Sequence, residues 1–314
     1  MKILFAGTPD FALPAIRALA DSHQLVGVLT APDRRKGRRG HAQPSPVAAE
    51  AANMGLPILR PERLGSDARN AVSQLAPELL VVVAYGKIFG PKFLSLFVHG
   101  GINLHPSMLP EFRGPSPIPA SILSGQLETG CTVQRVALRM DAGAILDQER
   151  LDLSGEESTY SLTKRCSEIG AKQLQRVVRQ IESGNAIEIE QQESNATYCS
   201  LIEKDSGRIN WADNAVYIER MIRAFDPWPG AFTYWNGLRL SLLKASVMDG
   251  SDTTPPIGAG TVIGVDKTRG ILIQTGRGTL SVEHLQLQTK RPLPFREFLN
   301  GSKAFVGSIL GETG

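Results

Sequence analysis

The first half of the chain alternates short apolar runs with stretches of helical spacing. Ile3–Ala6 is apolar throughout and stops at Gly7-Thr8-Pro9, after which Phe11, Ala15, Ile16 and Leu19 recur on one helical face. Leu25–Thr30 reads as the next strand. Pro44-Ser45-Pro46 opens a helix running to about Met54, with Ser45 as its N-cap and Pro46 in the first helical position. A strand at Leu56–Leu59, a helix at Asp67–Leu75 and a strand at Leu79–Tyr85 continue the alternation. The last of these is apolar on both faces, as a buried parallel strand is. Ile102–His105 follows as another strand, then a Pro-rich loop and a helix across Ile118–Leu123. This order predicts an α/β fold, a Rossmann-like, mostly parallel, doubly wound sheet with ligands outside the carboxyl ends of its strands.

The pattern changes after one long helix over residues 158–184. Residues 185–207 are polar and poor in large apolar groups, as a linker is. A helix at about 212–225 leads into short strands punctuated by Asn236-Gly237, Gly258-Ala259-Gly260, Arg269-Gly270 and Arg277-Gly278. Turn signals at that spacing predict a small antiparallel β-barrel, OB-like in size. The expected domains are therefore 1–188, a linker at 189–206, and 207–314.

Composition narrows the possibilities. With 42% apolar and 21% charged residues the chain has surface enough to bury a core, which excludes disorder. No apolar run is long enough to span a bilayer, and Met1-Lys2 runs straight into a strand with no signal-peptide pattern. Cys131, Cys166 and Cys199 are scattered singly, which points to a reducing compartment, the cytoplasm, and to no zinc site. Residues 1–206 carry 22 basic and 22 acidic side chains, so the net charge of +3 comes from the remainder. Within the balanced part, Arg34-Arg35-Lys36-Gly37-Arg38-Arg39 concentrates five positive charges, either as a solvated loop or as a phosphate-binding arm.

Gly7-Thr8-Pro9-Asp10-Phe11 sits where a dinucleotide fold carries GxGxxG; the glycines are missing and Pro9 bars close approach of a pyrophosphate. The densest polar chemistry lies further on. Asn103 and His105 are two apart at the end of a strand and so share a face, and Asp141 lies in the turn Met140-Asp141-Ala142-Gly143. An amide, an imidazole and a carboxylate at strand ends suit acyl transfer between nitrogens: two donors for an oxyanion, one group to orient the ring and handle a proton. The same residues also suit a packed histidine beside ordinary turn chemistry. A third metal ligand at suitable spacing is missing, so no metal is expected.

With these motifs the sequence resembles the folate-dependent formyltransferases, and within them the branch acting on charged initiator tRNA. The resemblance runs from Phe5-Ala6-Gly7-Thr8-Pro9-Asp10-Phe11 through Asn103-Leu104-His105-Pro106-Ser107-Met108-Leu109-Pro110, Arg113-Gly114 and Met140-Asp141-Ala142-Gly143. It continues through Ile209-Asn210-Trp211 to Ile222-Arg223-Ala224-Phe225-Asp226-Pro227-Trp228-Pro229-Gly230. It implies 10-formyltetrahydrofolate as formyl donor and, as acceptor, the α-amino group of methionine on initiator tRNA, used to start translation. Asn103 and His105 would stabilise the oxyanion, while Asp141 would keep His105 charged and assist removal of the amine proton. Ser107, Met108, Leu109 and Pro110 would contact folate, Met108 standing in for the usual leucine. Arg34, Arg35, Lys36, Arg38 and Arg39 would meet the tRNA acceptor end, with Arg38 at the position of the family's critical arginine. In the linker, Leu201 stands where members usually place lysine, which leaves Lys204 as the basic residue there. A monomer is expected. Two other readings share parts of this pattern: a formyltransferase for a small amine, and a non-catalytic RNA-binding module built on the barrel.

Overall fold

The computed structural model describes residues 1–35, 41–248 and 257–311, with Arg35 described by its main chain only. Its first half consists of β1 (Lys2–Gly7), α1 (Leu13–Ala20), β2 (Gln24–Leu29), a short hairpin of β3 (Arg34–Arg35) and β4 (Ala42–Gln43), α2 (Pro46–Asn53), β5 (Ile58–Leu59), α3 (Ser66–Gln74), β6 (Leu79–Val83), α4 (Pro91–Leu94) and β7 (Gly101–His105). Then come α5 (Pro117–Ser124), β8 (Glu128–Arg135), β9 (Ile145–Asp152) and α6 (Thr159–Glu182). The strands form one sheet in the order β5-β2-β1-β6-β7-β8-β9, parallel from β5 to β7 and antiparallel beyond. The mostly parallel, doubly wound expectation holds.

Burial explains why the central strands read as unbroken apolar runs. Ile3, Leu4, Phe5 and Ala6 of β1, and Leu79, Leu80 and Val81 of β6, are fully buried on both faces of the sheet. On one face Leu4, Ala6, Leu80 and Val82 pack against Val72 of α3 and four aromatic rings, Tyr85, Phe89, Phe93 and Phe97. These rings stand four residues apart, with centroids separated by 5.5, 5.2 and 5.9 Å in turn. The expected β6 ends two residues early because Ala84 turns into the left-handed region, at φ 51°. Ser45 caps α2 as its sequence predicts, its Oγ accepting from the Ala48 N–H at 3.1 Å.

By chain proximity the molecule divides into two units. The first takes residues 1–117, 127–153 and 162–200; the second takes 118–126, 154–161 and 201 onward. Residues 189–200, polar enough to read as linker, thus group with the first unit. The second unit contains α7 (Ala215–Ala224), β10 (Phe232–Trp235), β11 (Leu238–Val247), β12 (Val262–Asp266), β13 (Gly270–Gln274), β14 (Thr279–Leu287), β15 (Leu293–Pro294) and α8 (Phe295–Asn300). Its strands make an antiparallel half-barrel, ordered β10-β11-β14-β13-β12 with β15 against β14. Trp235 of β10 packs with Phe298 of α8 and Phe305, the ring of Phe305 lying 5.0 Å from each of the other two. Among the described residues no helix is long and apolar enough to cross a membrane.

Candidate active site

The site is built on the end of β7 and two segments folded over it. Asn103 pairs with Gln134 of β8 and His105 with Thr132, so each residue of interest has a polar neighbour on its own face. Gln148 of β9 is in turn opposite Thr132. Asn103, Gln134, His105, Thr132 and Gln148 thus form a polar row across β7, β8 and β9.

His105 is buried, and its two ring nitrogens face different groups. Nε2 is 2.9 Å from the carbonyl oxygen of Phe112, so this nitrogen carries a hydrogen and donates it. Nδ1 lies 3.6 Å from Asp141 Oδ2, a charge contact longer than a hydrogen bond. Burial pushes the imidazole below the ordinary histidine range; the Asp141 carboxylate and the Phe112 carbonyl oppose that push and offset only part of it. Burial thus works against the charged ring that the resemblance implies, and the Asp141 carboxylate works for it.

Asp141 is held on both oxygens. Gly114 N–H donates to Oδ2 at 2.9 Å and the Gln134 amide donates to Oδ1 at 3.0 Å. Its backbone sits at φ 51°, a region that L residues adopt when the surroundings insist. Two residues on, Gly143 allows the turn to close: a Cβ there would stand 1.9 Å from the carbonyl oxygen of Arg135. Asn103 is half-buried, and its side chain has no hydrogen-bond partner among the described residues. A free amide, a buried ring N–H and a fixed carboxylate can together polarise a carbonyl and accept a proton.

The Ser107–Pro110 segment is anchored from beneath. Ser107 Oγ is fully buried and donates to Glu111 O at 2.6 Å. Thr132 Oγ1 donates to Ser107 O at 2.7 Å and accepts from Leu109 N–H at 3.1 Å, while the Gln148 amide donates to Leu109 O at 2.8 Å. Ser107 and Leu109 thus hold the loop, and Met108 and Pro110, both half-buried, offer its surface. Gly130 makes room for Met108, whose sulfur would lie 2.4 Å from a Cβ at that position.

Of the predicted tRNA residues, Arg34 is exposed on β3 and Lys204 is exposed in a short 3-10 turn over Lys204–Gly207. Lys36, Arg38 and Arg39 lie outside the described residues, as does the Arg35 side chain. Sequence reasoning missed Gln134, Thr132, Gln148 and Gln191. Thr132 and Gln134 did leave a signal, alternating with Cys131 and Val133 in a strand apolar on its other face.

A formyl transferase family profile matches residues 1–178, and its C-terminal domain profile matches residues 201–303. Methionyl-tRNA formyltransferase of Treponema denticola is 43% identical over 316 residues, covering 98% of each chain. Among solved structures, methionyl-tRNA formyltransferase from Clostridium thermocellum superposes with a TM-score of 0.56 at 18% identity, over 80% of this chain and 95% of that one. HypX from Aquifex aeolicus, solved in complex with tetrahydrofolic acid, has a TM-score of 0.62 at 17% identity over 98% of this chain, which spans 48% of HypX. At those identities the two structures speak for the fold. With a family profile over residues 1–178, a second over residues 201–303 and a relative 43% identical over nearly its whole length, the chain belongs to the formyl transferase family.

Proposed function

We propose that the protein transfers the formyl group of 10-formyltetrahydrofolate to the α-amino group of methionine esterified to initiator tRNA, in the cytoplasm and as a monomer. The observation that carries this reading is the pair of buried His105 and half-buried Asp141 beside the unspent amide of Asn103, within a chain aligned end to end with a methionyl-tRNA formyltransferase. Residues 1–188 would carry the chemistry, 189–206 would join the parts, and 207–314 would contribute to tRNA binding with Arg34, Arg35, Lys36, Arg38, Arg39 and Lys204.

The residues present fit a folate. Asn103 keeps its amide free, and Met140, next to Asp141 in the chain, stands exposed at 56%, an apolar group available to a planar ring. Ser107, Met108, Leu109 and Pro110 would hold it, Ser107 and Leu109 by fixing the loop and Met108 and Pro110 by contact. When bound, the folate supplies an activated formyl group on nitrogen.

In this reading the amide of Asn103 and the Nε2–H of His105 donate to the formyl oxygen as it gains negative charge. His105 must leave the carbonyl oxygen of Phe112 to do so, which keeps the donor oriented until substrate arrives. The Asp141 carboxylate draws the proton from the attacking amine, and that proton ends on the nitrogen that loses the formyl group. One C–N bond forms as another breaks, so atoms and charge balance.

Single-turnover formylation of methionyl-tRNA tests these roles. His105→Ala should lose at least about 10²-fold in rate with folate affinity nearly unchanged, as removal of one oxyanion donor does. Asp141→Asn should lose a comparable factor. A His105→Ala rate close to the parent's would remove the ring from the mechanism.

A further inference from the structure

We infer that Gln191 is a positioning residue for Asp141, acting from the polar segment that follows α6. The inference rests on Asp141 being part of the transfer site. A side-chain amide presents an acceptor and a donor at opposite ends of one plane, and Gln191 uses both ends. Its Oε1 accepts from Nε and Nη2 of Arg113 at 3.0 and 2.9 Å. Its Nε2 donates to the main-chain oxygens of Asp141 and Gly143 at 2.9 and 2.8 Å and lies 3.2 Å from Gln134 Oε1.

These contacts oppose a conformational preference. Asp141 has a positive φ, and a turn of that kind relaxes unless its carbonyls are tied down. Gln191 holds two of them, and Gln134, which Gln191 also reaches, holds Oδ1. Arg113 supplies the fixed end: its guanidinium is fully buried and further anchored on Glu193 Oε2 at 3.0 Å. The segment itself is laced to the site, Ile189 and Ile145 exchanging hydrogen bonds at 2.8 and 2.9 Å. Residues without any catalytic group thus decide where the Asp141 carboxylate points.

Gln191→Glu separates the two arms. The carboxylate keeps both bonds from Arg113, which holds it ionised, but it cannot donate to the Asp141 and Gly143 carbonyls. Three measurements on the full chain read the outcome: thermal melting, backbone amide exchange, and kcat with KM for methionyl-tRNA. Gly114 N–H is the reporter, because it donates to Asp141 Oδ2 and does not touch Gln191. Melting should stay within a few degrees of the parent. Gly114 exchange should quicken by about tenfold or more while the Leu104 amide in β7 is unchanged. Turnover should fall about 10- to 100-fold with KM within about twofold, the signature of misplaced chemistry rather than lost binding.

Unchanged Gly114 exchange would overturn the inference, whether or not melting shifts. If the parent protein itself transfers no formyl group, the proposed function fails, and Gly114 exchange still decides the role of Gln191. Should Gln191→Glu fail to fold, Gln191→Met, which lacks both arms, is judged by the same exchange criterion.

Discussion

His105 sets the residue scale, because burial and charge pull its proton affinity in opposite directions and burial wins. The unfolded chain returns the ring to an ordinary value of about 6.5. Between the lowered native value and that figure, the unfolded state holds a proton the native state lacks, so stability rises with pH there. The contribution is fully present above about pH 6.5 and is lost as the pH falls toward the native value. Comparing urea unfolding of the parent and His105→Gln at pH 7.5 and 5.5 isolates it. The parent should lose more stability than the variant over that interval, and equal losses would show that burial does not set the proton affinity of the ring. His23, also lowered chiefly by burial, is common to both proteins and cancels. Asn103, His105 and Asp141 were legible in the sequence because their residue types announce chemistry and stand at strand ends and in a turn. Gln134 was legible only through its alternation with Cys131 and Val133, and Gln191 was not legible at all. A glutamine in a polar stretch has no pattern of its own, and only the folded chain shows that Asp141 needs two amides to hold it.

Among elements, the central strands and the helices α1, α2, α3 and α5 followed from periodicity, while the short hairpin β3–β4 and the single turn α4 left no pattern. The aromatic row Tyr85, Phe89, Phe93 and Phe97 was less legible: it crosses a loop and a single-turn helix, so the spacing of four marks no long helix. Helix α6 read correctly as one element, but its fit against β7 depends on a glycine that the pattern does not explain. A Cβ on Gly170 would lie 2.4 Å from Cδ2 of Leu104, a residue between Asn103 and His105 that is 2% exposed and has nowhere to move. Gly170→Ala should therefore cost about 1–3 kcal/mol through overpacking, despite the better helix propensity of alanine. Because the displaced strand carries Asn103 and His105, turnover should fall as well. Denaturant unfolding decides this; a variant as stable as the parent would mean that α6 does not pack this closely on β7.

At the scale of the whole molecule, net charge says little and its distribution says more. The first 206 residues balance at zero, so attraction of the transfer half for a polyanion must come from the five charges at Arg34–Arg39, with the remaining +3 spread over the last hundred or so residues. A small amine needs neither. Acceptor choice is thus the most direct test of the account, measured as initial rates of formyl transfer from 10-formyltetrahydrofolate to methionyl-tRNA and to glycinamide ribonucleotide across a salt series. The account predicts transfer to methionyl-tRNA alone. Its log kcat/KM should fall with log salt by about 0.7–0.9 for each phosphate contact engaged. Preferential transfer to glycinamide ribonucleotide, with a rate on methionyl-tRNA near background at every salt concentration, would contradict it.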